Sequence, residues 1–187
     1  MVNTDTPLLQ RRAPSWILPT FLLSVGMAGL FSLRGGGASA DLTPPAKRRP
    51  APAFSVTDLT GKPFKLSAKR GSVVLVNYFA TWCPPCREEL PDLVALARDK
   101  EAQGLVTLGI SQDEGGPSVV VPFVREHSIN YPVALETAPD MPPTPGFDVP
   151  ALPTTVLVDK QGRVASVITG RVDIRAVRAS VDKLLAE

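Results

Sequence analysis

Histidine is almost absent from this 187-residue chain, and cysteine occurs only twice. His127 is the lone imidazole, and Cys83 and Cys86 are the only thiols. A structural zinc site takes four ligands, so this inventory leaves no such site, and no metal is expected. A c-type haem attachment needs histidine directly after the second cysteine, where Arg87 stands. No phosphate-cradling glycine loop, serine-nucleophile motif or internal repeat is present. Excess charge of one sign is also missing. Of 20 basic and 18 acidic residues, Arg11, Arg12, Arg34 and Asp5 fall in the first forty, leaving 17 of each beyond. A chain so balanced has no electrostatic footprint for nucleic acid.

The chain has one long apolar run, residues 16–33, preceded by Arg11-Arg12 and followed by Gly35-Gly36-Gly37 and Ala38-Ser39-Ala40. Basic residues, an apolar core and a small-x-small site are the parts of a secretory signal. The run is long for a signal core and just short of the roughly 20 residues that cross a bilayer. Two readings follow for residues 1–40: a signal peptide cut after Ala40, or a retained membrane anchor. The paired arginines also bear a loose likeness to a twin-arginine signal. Each reading puts the rest of the chain outside the cytoplasm, where a thiol pair meets an oxidising compartment.

Residues 41–52 hold Pro44, Pro45, Pro50 and Pro52 around Lys47-Arg48-Arg49, with too little apolar surface to pack. They read as a linker. The basic trio offers a contact for anionic lipid, although three such charges are ordinarily just solvated. Residues 53–187 are long enough for one compact domain. Phe54, Val56 and Leu59 lead through Thr60-Gly61-Lys62-Pro63 to Phe64 and Leu66, a small hairpin. The nearly unbroken apolar run 73–80 predicts a central strand covered on both faces. Residues 84–101 carry Leu90, Leu93, Val94, Leu96 and Ala97 at helical spacing, and Gly104 ends them. Strands at 105–111 and 131–135 bracket a helix at 118–127, in which Pro122 is tolerable only in the first turn. Five prolines make 137–150 irregular. A hairpin at 155–159 and 163–169 follows, and Asp173 caps a last helix.

Cys83-Pro84-Pro85-Cys86 therefore sits where the central strand hands over to a helix. A thiolate attacks a disulfide and a thiol does not, so the attacking cysteine needs a depressed pKa. At a helix N-cap, free N–H groups and the helix dipole favour that negative charge. Pro84 suits the first helical position, where no N–H is needed. This makes Cys83 the nucleophile and Cys86, one turn further in, the buried resolving thiol. A purely structural bridge closing so small a loop would stabilise little.

The segment Tyr78-Phe79-Ala80-Thr81-Trp82-Cys83-Pro84-Pro85-Cys86-Arg87-Glu88-Glu89-Leu90-Pro91 resembles the active site of the thioredoxin superfamily. More narrowly, it is similar to the extracytoplasmic branch that includes TlpA, ResA and CcmG. The likeness extends over residues 53–185 and takes in residues 54–62, the extra helix and strand near 118–135, and Leu152-Pro153-Thr154-Thr155. It implies a thioredoxin-like α/β fold: a central mixed sheet flanked by helices, with an N-terminal hairpin and a helix–strand insertion. It implies that Pro153 is the family's cis-proline facing the dithiol, with an ordinary trans proline opening a strand as the competing reading. Leu152 would offer backbone bonds to a substrate strand, and Trp82 would shield Cys83, beside Pro84 and Pro85. A plain core aromatic is the competing reading of Trp82. Pro91 would be a structural helix kink.

Thioredoxin itself carries a buried aspartate where this chain has Asn77, which cannot take a proton. The branch resembled uses an acid three residues after the second cysteine, here Glu89, to relay a proton for Cys86. The plainer alternative is that Glu88 and Glu89 complement the helix dipole. Residues 146–150, Gly-Phe-Asp-Val-Pro, depart from the branch's usual Tyr-Gly-Val-like sequence. The resemblance thus implies a cofactor-free thiol–disulfide oxidoreductase, a monomer. Its substrates would be disulfide-bearing extracytoplasmic proteins, of cytochrome c maturation or copper-oxidase assembly, and a membrane electron donor would recharge it. Two alternatives remain: a copper chaperone using Cys83, Cys86 and His127, and an oxidant of the same fold.

Overall fold

A seven-residue strand with every side chain buried organises the chain. The computed structural model describes residues 40–136, 147 and 149–187. Strands β1 (Ser55–Thr57) and β2 (Pro63–Lys65) form an antiparallel hairpin. Strands β3 (Val73–Phe79), β4 (Leu105–Ser111), β5 (Val133–Leu135), β6 (Thr154–Val158) and β7 (Val164–Thr169) form one sheet in the order β5-β4-β3-β6-β7. β3, β4 and β5 run parallel, while β6 is antiparallel to both β3 and β7. Helices α1 (Pro84–Glu101), α2 (Pro117–Glu126) and α3 (Ile174–Ala186) complete the mixed α/β architecture expected from the sequence. The anticipated insertion is α2 with β5.

Alternation along β3 divides the core. Val74, Val76 and Tyr78 pack with Phe54, Val56 and Phe64 of the hairpin segment, and with Phe147. Val73 and Leu75 pack with Leu93 and Leu96 of α1 and with Val177, Val181 and Leu184 of α3. Burial on two faces is why β3 reads as a continuous apolar run. The turns follow from local chemistry. Asp58 accepts from the N–H groups of Thr60 (2.8 Å) and Lys62 (2.9 Å) and so closes the first hairpin. Asp159 does the same between β6 and β7, accepting from Gln161 and Arg163, with Gly162 at φ 75°. Asp173 caps α3 through the N–H of Arg175.

Pro122 lies in the second turn of α2 rather than the first. It and Ser118, whose carbonyl loses its helical donor, are both exposed, so water can satisfy that carbonyl. β5 is shorter than expected, and Pro132, lacking an N–H, stays outside it.

Residues 41–52 correct the sequence reading. They are docked along the domain and do not hang free as a linker. Thr43 N–H donates to the Ala165 carbonyl (2.8 Å), Val164 N–H to Arg49 (2.8 Å) and Ala51 N–H to Gly162 (2.9 Å). The segment thereby covers the outer edge of β7. Arg48 is buried: its guanidinium reaches Asp159 at 3.1 Å, Glu187 at 2.8 Å and the Thr43 carbonyl at 2.8 Å. Burial pushes the Asp159 carboxyl up, but bonds from the Arg163 backbone, Arg48 and the Arg163 side chain outweigh it and hold the group below its usual range. Composition missed this because backbone pairing and one buried cation, not apolar area, fasten the segment. No helix among the described residues is long and apolar enough to cross a membrane. The run 16–33 and most of the proline-rich segment 137–150 lie outside the described residues.

Arg48→Met should cost roughly 2–4 kcal/mol in chemical denaturation, because it strips a partner from a buried carboxylate. Lys47→Met, on the exposed neighbour, should stay within about 0.5 kcal/mol. Equal effects of the two would show that the ion cluster does not hold the segment.

Candidate active site

The β3–α1 junction sets the thiols. Cys83 is the N-cap of α1 with extended backbone, and Pro84 occupies the first helical turn. Cys83 and Cys86 are joined in a disulfide, and Cys83 Sγ accepts the Cys86 N–H at 3.3 Å. Both are buried, at 3% and 4% exposure, so burial does not distinguish them. Helix position does: the sulfur of Cys83 lies before the first turn, facing its free N–H groups.

Trp82 is 67% exposed beside this buried pair, which rules out the plain core aromatic. Pro84 is exposed and Pro85 half-buried. Sheet register brings Leu152 and Pro153 to the end of β3 that leads into the dithiol. Thr154 of β6 sits opposite Tyr78 of β3, so Pro153 falls beside the end of β3 and Leu152 beside the loop that carries Trp82. Leu152 packs against the apolar cluster that contains both cysteines. The Leu152–Pro153 peptide is cis.

Glu89 is buried, at 3% exposure, three residues beyond Cys86 on the same helix face. Its Oε1 accepts from Asn77 Nδ2 (3.1 Å) and its Oε2 from the N–H of Val172 (2.9 Å). Burial pushes this carboxyl up. The Val172 N–H, Asn77 and the Arg171 charge pull it back only in part, leaving it at about 7. The dipole-complementing alternative suits Glu88, which is exposed and pairs with Arg171 at 3.3 Å. Asn77 also donates to Thr155 Oγ1 (3.1 Å), so it orients Glu89 from β3.

Sequence reading missed Asp113. This buried carboxylate accepts from Thr81 N–H (2.9 Å), Thr81 Oγ1 (2.6 Å) and Ser111 Oγ (2.8 Å). It pins the loop that presents Trp82 and Cys83. An acid just past the C-terminal end of a parallel strand was the available signal, since such ends carry sites in open α/β sheets. His127 is not brought to the thiols; it ends α2 and its ring packs on Phe123 at 4.2 Å. Among the described residues, no group of three or more His, Cys, Asp or Glu side chains is placed to hold a metal ion.

A dithiol at a helix N-cap, a buried acid that titrates near neutrality and a proline loop beside them can carry out disulfide exchange. Known proteins resemble this arrangement. The sequence profile of the AhpC/TSA family matches residues 48–167. The thiol-disulfide oxidoreductase ResA of Bacillus subtilis (strain 168) is 34% identical over 120 residues, covering 64% of this chain and 65% of the relative. The chain thus spans just under two thirds of that relative's length. The crystal structure of a thiol:disulfide interchange protein of the thioredoxin family from Chlorobium tepidum TLS superposes with a TM-score of 0.66 at 32% identity, over 74% of this chain and 97% of that one. A secreted thiol-disulfide isomerase from Corynebacterium glutamicum gives 0.69 at 27% identity, over 83% and 96%.

The raised Glu89 pKa fixes the sign of a pH effect. The folded state holds this proton up to about pH 7, whereas an unfolded chain releases it near 4.5. The stabilisation is complete below the unfolded value and is lost as pH rises through the folded one. Unfolding free energy should therefore fall by roughly 2–4 kcal/mol between about pH 4.5 and 7.5 from this group alone. Glu89→Gln should flatten that segment of the stability curve, and an unchanged slope would show that Glu89 ionises normally.

Proposed function

We propose that this chain, which belongs to the AhpC/TSA family of the thioredoxin superfamily, is an extracytoplasmic thiol–disulfide oxidoreductase that reduces disulfides in selected protein substrates. The observation that carries the reading is the Cys83–Cys86 disulfide at the N-cap of α1, one helical turn from a buried acid held near neutral pKa.

The cycle needs only these groups and an electron donor. A membrane dithiol donor first reduces the Cys83–Cys86 bond, supplying two electrons. Helix N–H groups and the dipole stabilise the Cys83 thiolate. That thiolate attacks one sulfur of a substrate disulfide; a mixed disulfide forms and the other substrate sulfur leaves as a thiolate. Glu89 accepts the proton of Cys86. The Cys86 thiolate then attacks Cys83 Sγ, which re-forms the internal bond and releases the second substrate sulfur. The substrate gains two electrons and the enzyme loses two. Trp82, Pro84 and Pro85 give the substrate an apolar contact beside Cys83. The backbone at Leu152-Pro153 pairs with the substrate strand.

Localisation follows from the leader, residues 1–40, acting as signal or anchor. The name of one structural relative, a secreted isomerase, supports the same side of the membrane. Substrates of the haem-binding cysteine or copper-assembly class suit the reading, with the enzyme acting as a monomer. No observation favours the copper chaperone.

Cys86→Ala should trap a covalent substrate adduct on Cys83, visible on a non-reducing gel and reversed by dithiothreitol. Cys83→Ala should give no adduct and no turnover. Recovery of no adduct from Cys86→Ala, or of an equal yield from Cys83→Ala, would remove the assignment of nucleophile and resolving thiol.

A further inference from the structure

The turn between β7 and α3 touches the site at two points. Gly170 N–H donates to the Pro153 carbonyl at 2.8 Å. Two residues on, Val172 N–H donates to Glu89 Oε2 at 2.9 Å. Between them, exposed Arg171 pairs with Glu88 at 3.3 Å, and its charge favours the Glu89 carboxylate. Gly170 holds φ at 87°, and a Cβ there would meet nothing within 4 Å. Its glycine is therefore required by conformation and not by space.

We propose that Gly170-Arg171-Val172 is a positioning arm that couples a peptide strand docked at Leu152-Pro153 to the ionisation of Glu89. The catalytic meaning of the arm rests on Glu89 being the proton acceptor for Cys86. Three residues span the two bonds, and the far end is fixed: Val172 is buried in the core with Val177 and Val181, and Asp173 caps α3. A strand that pairs at the proline loop shifts the Pro153 carbonyl. Gly170 follows it, and the aim of the Val172 N–H on Glu89 changes with it. The linkage is reciprocal, so the charge on Glu89 alters affinity for the strand by the same factor.

Among the described residues, none of the other groups around Glu89 bonds to Pro153 itself, although Asn77 links Glu89 to the strand that follows it. Asn77 reaches it from β3 and is itself bonded to Thr155 of β6. Tyr131, ahead of β5, has a phenol that burial pushes up, with the Glu89 charge adding to the effect. Glu88, on α1, is paired with Arg171. Cys86 lies one turn before Glu89 on α1. Among the described residues, the arm alone bonds to both Pro153 and Glu89.

The direction of each effect is set by which form a donor or charge favours. Losing the Val172 donor or the Arg171 charge disfavours the carboxylate and raises its midpoint. The test follows the Glu89 carboxyl by carbon-13 NMR through a pH titration of the full chain in the Cys86→Ala background. Cys83 carries either a methyl disulfide cap or a short cysteine peptide as mixed disulfide. The midpoint should differ between cap and peptide by about half a unit or more. Gly170→Ala should raise the capped midpoint by about half to one unit and erase the difference. Arg171→Gln should raise it too, and Arg171→Lys should restore it. If Gly170→Ala fails to fold, the difference between cap and peptide in the unsubstituted arm still tests the coupling. Equal midpoints for cap and peptide, or a capped midpoint unmoved by Gly170→Ala and Arg171→Gln, overturns the arm. The relay is read separately. If Glu89→Gln leaves the pH profile of exchange unchanged while the NMR shifts are as predicted, the relay falls and the coupling stands.

Discussion

Burial of β3 on both faces is the constraint on which the rest of the structure depends. A strand covered by the hairpin on one side and by α1 and α3 on the other must be apolar along its length. It must also end where the covering ends. That end is Phe79, after which the chain turns through Thr81-Trp82 and enters α1 at Cys83. The dithiol is therefore delivered to a fixed place, at the carboxyl end of the central strand. β6 lies antiparallel beside the same strand and brings Pro153 to the same end. The two halves of the site, more than sixty residues apart in sequence, meet because both are registered on β3.

Polar groups buried around this frame do different work according to their partners. Asp159 is surrounded by arginines and backbone donors, which keep it charged and fasten residues 41–52 to the β6–β7 turn. Asp113 gathers a backbone N–H and two hydroxyls and fixes the active-site loop. Glu89 has one backbone donor and one amide, while Arg171, whose charge favours its ionised form, is engaged by Glu88. That is too little to offset burial fully, and its proton is held near neutrality. Asp159 and Glu89 are both buried, and the opposite directions of their pKa follow the number and charge of their donors.

Much of this was legible in the sequence. The run at β3, the helical spacing of Leu90, Leu93 and Leu96, the hairpin at 155–159 and 163–169 and the cap at Asp173 are local signals, and each corresponds to an observed element. The dithiol was legible because cysteine is so scarce here. Glu89 was legible through the family resemblance, which places an acid three residues after the second cysteine; its burial and its partner Val172 were not, because a backbone donor leaves no mark in a sequence. Asp113 went unseen because its role depends on β4 lying beside β3. Residues 41–52 were misread because pairing with the β7 edge, and the long-range contacts of Arg48, are invisible to composition. Pro122 was placed in the wrong turn because an exposed helix face tolerates a lost bond that a buried one would not.

The central claim is that this dithiol works as a reductant outside the cytoplasm. Its most direct measurement is the reduction potential of the Cys83–Cys86 couple, from equilibration of the protein with a graded glutathione or dithiothreitol buffer. A value near or below about −220 mV, in the thioredoxin and glutaredoxin range, is the result expected of a protein that gives electrons to its substrates and draws them from an upstream donor. A value near about −120 mV, that of a strong disulfide donor, would contradict the direction of flow and make the same geometry an oxidant's.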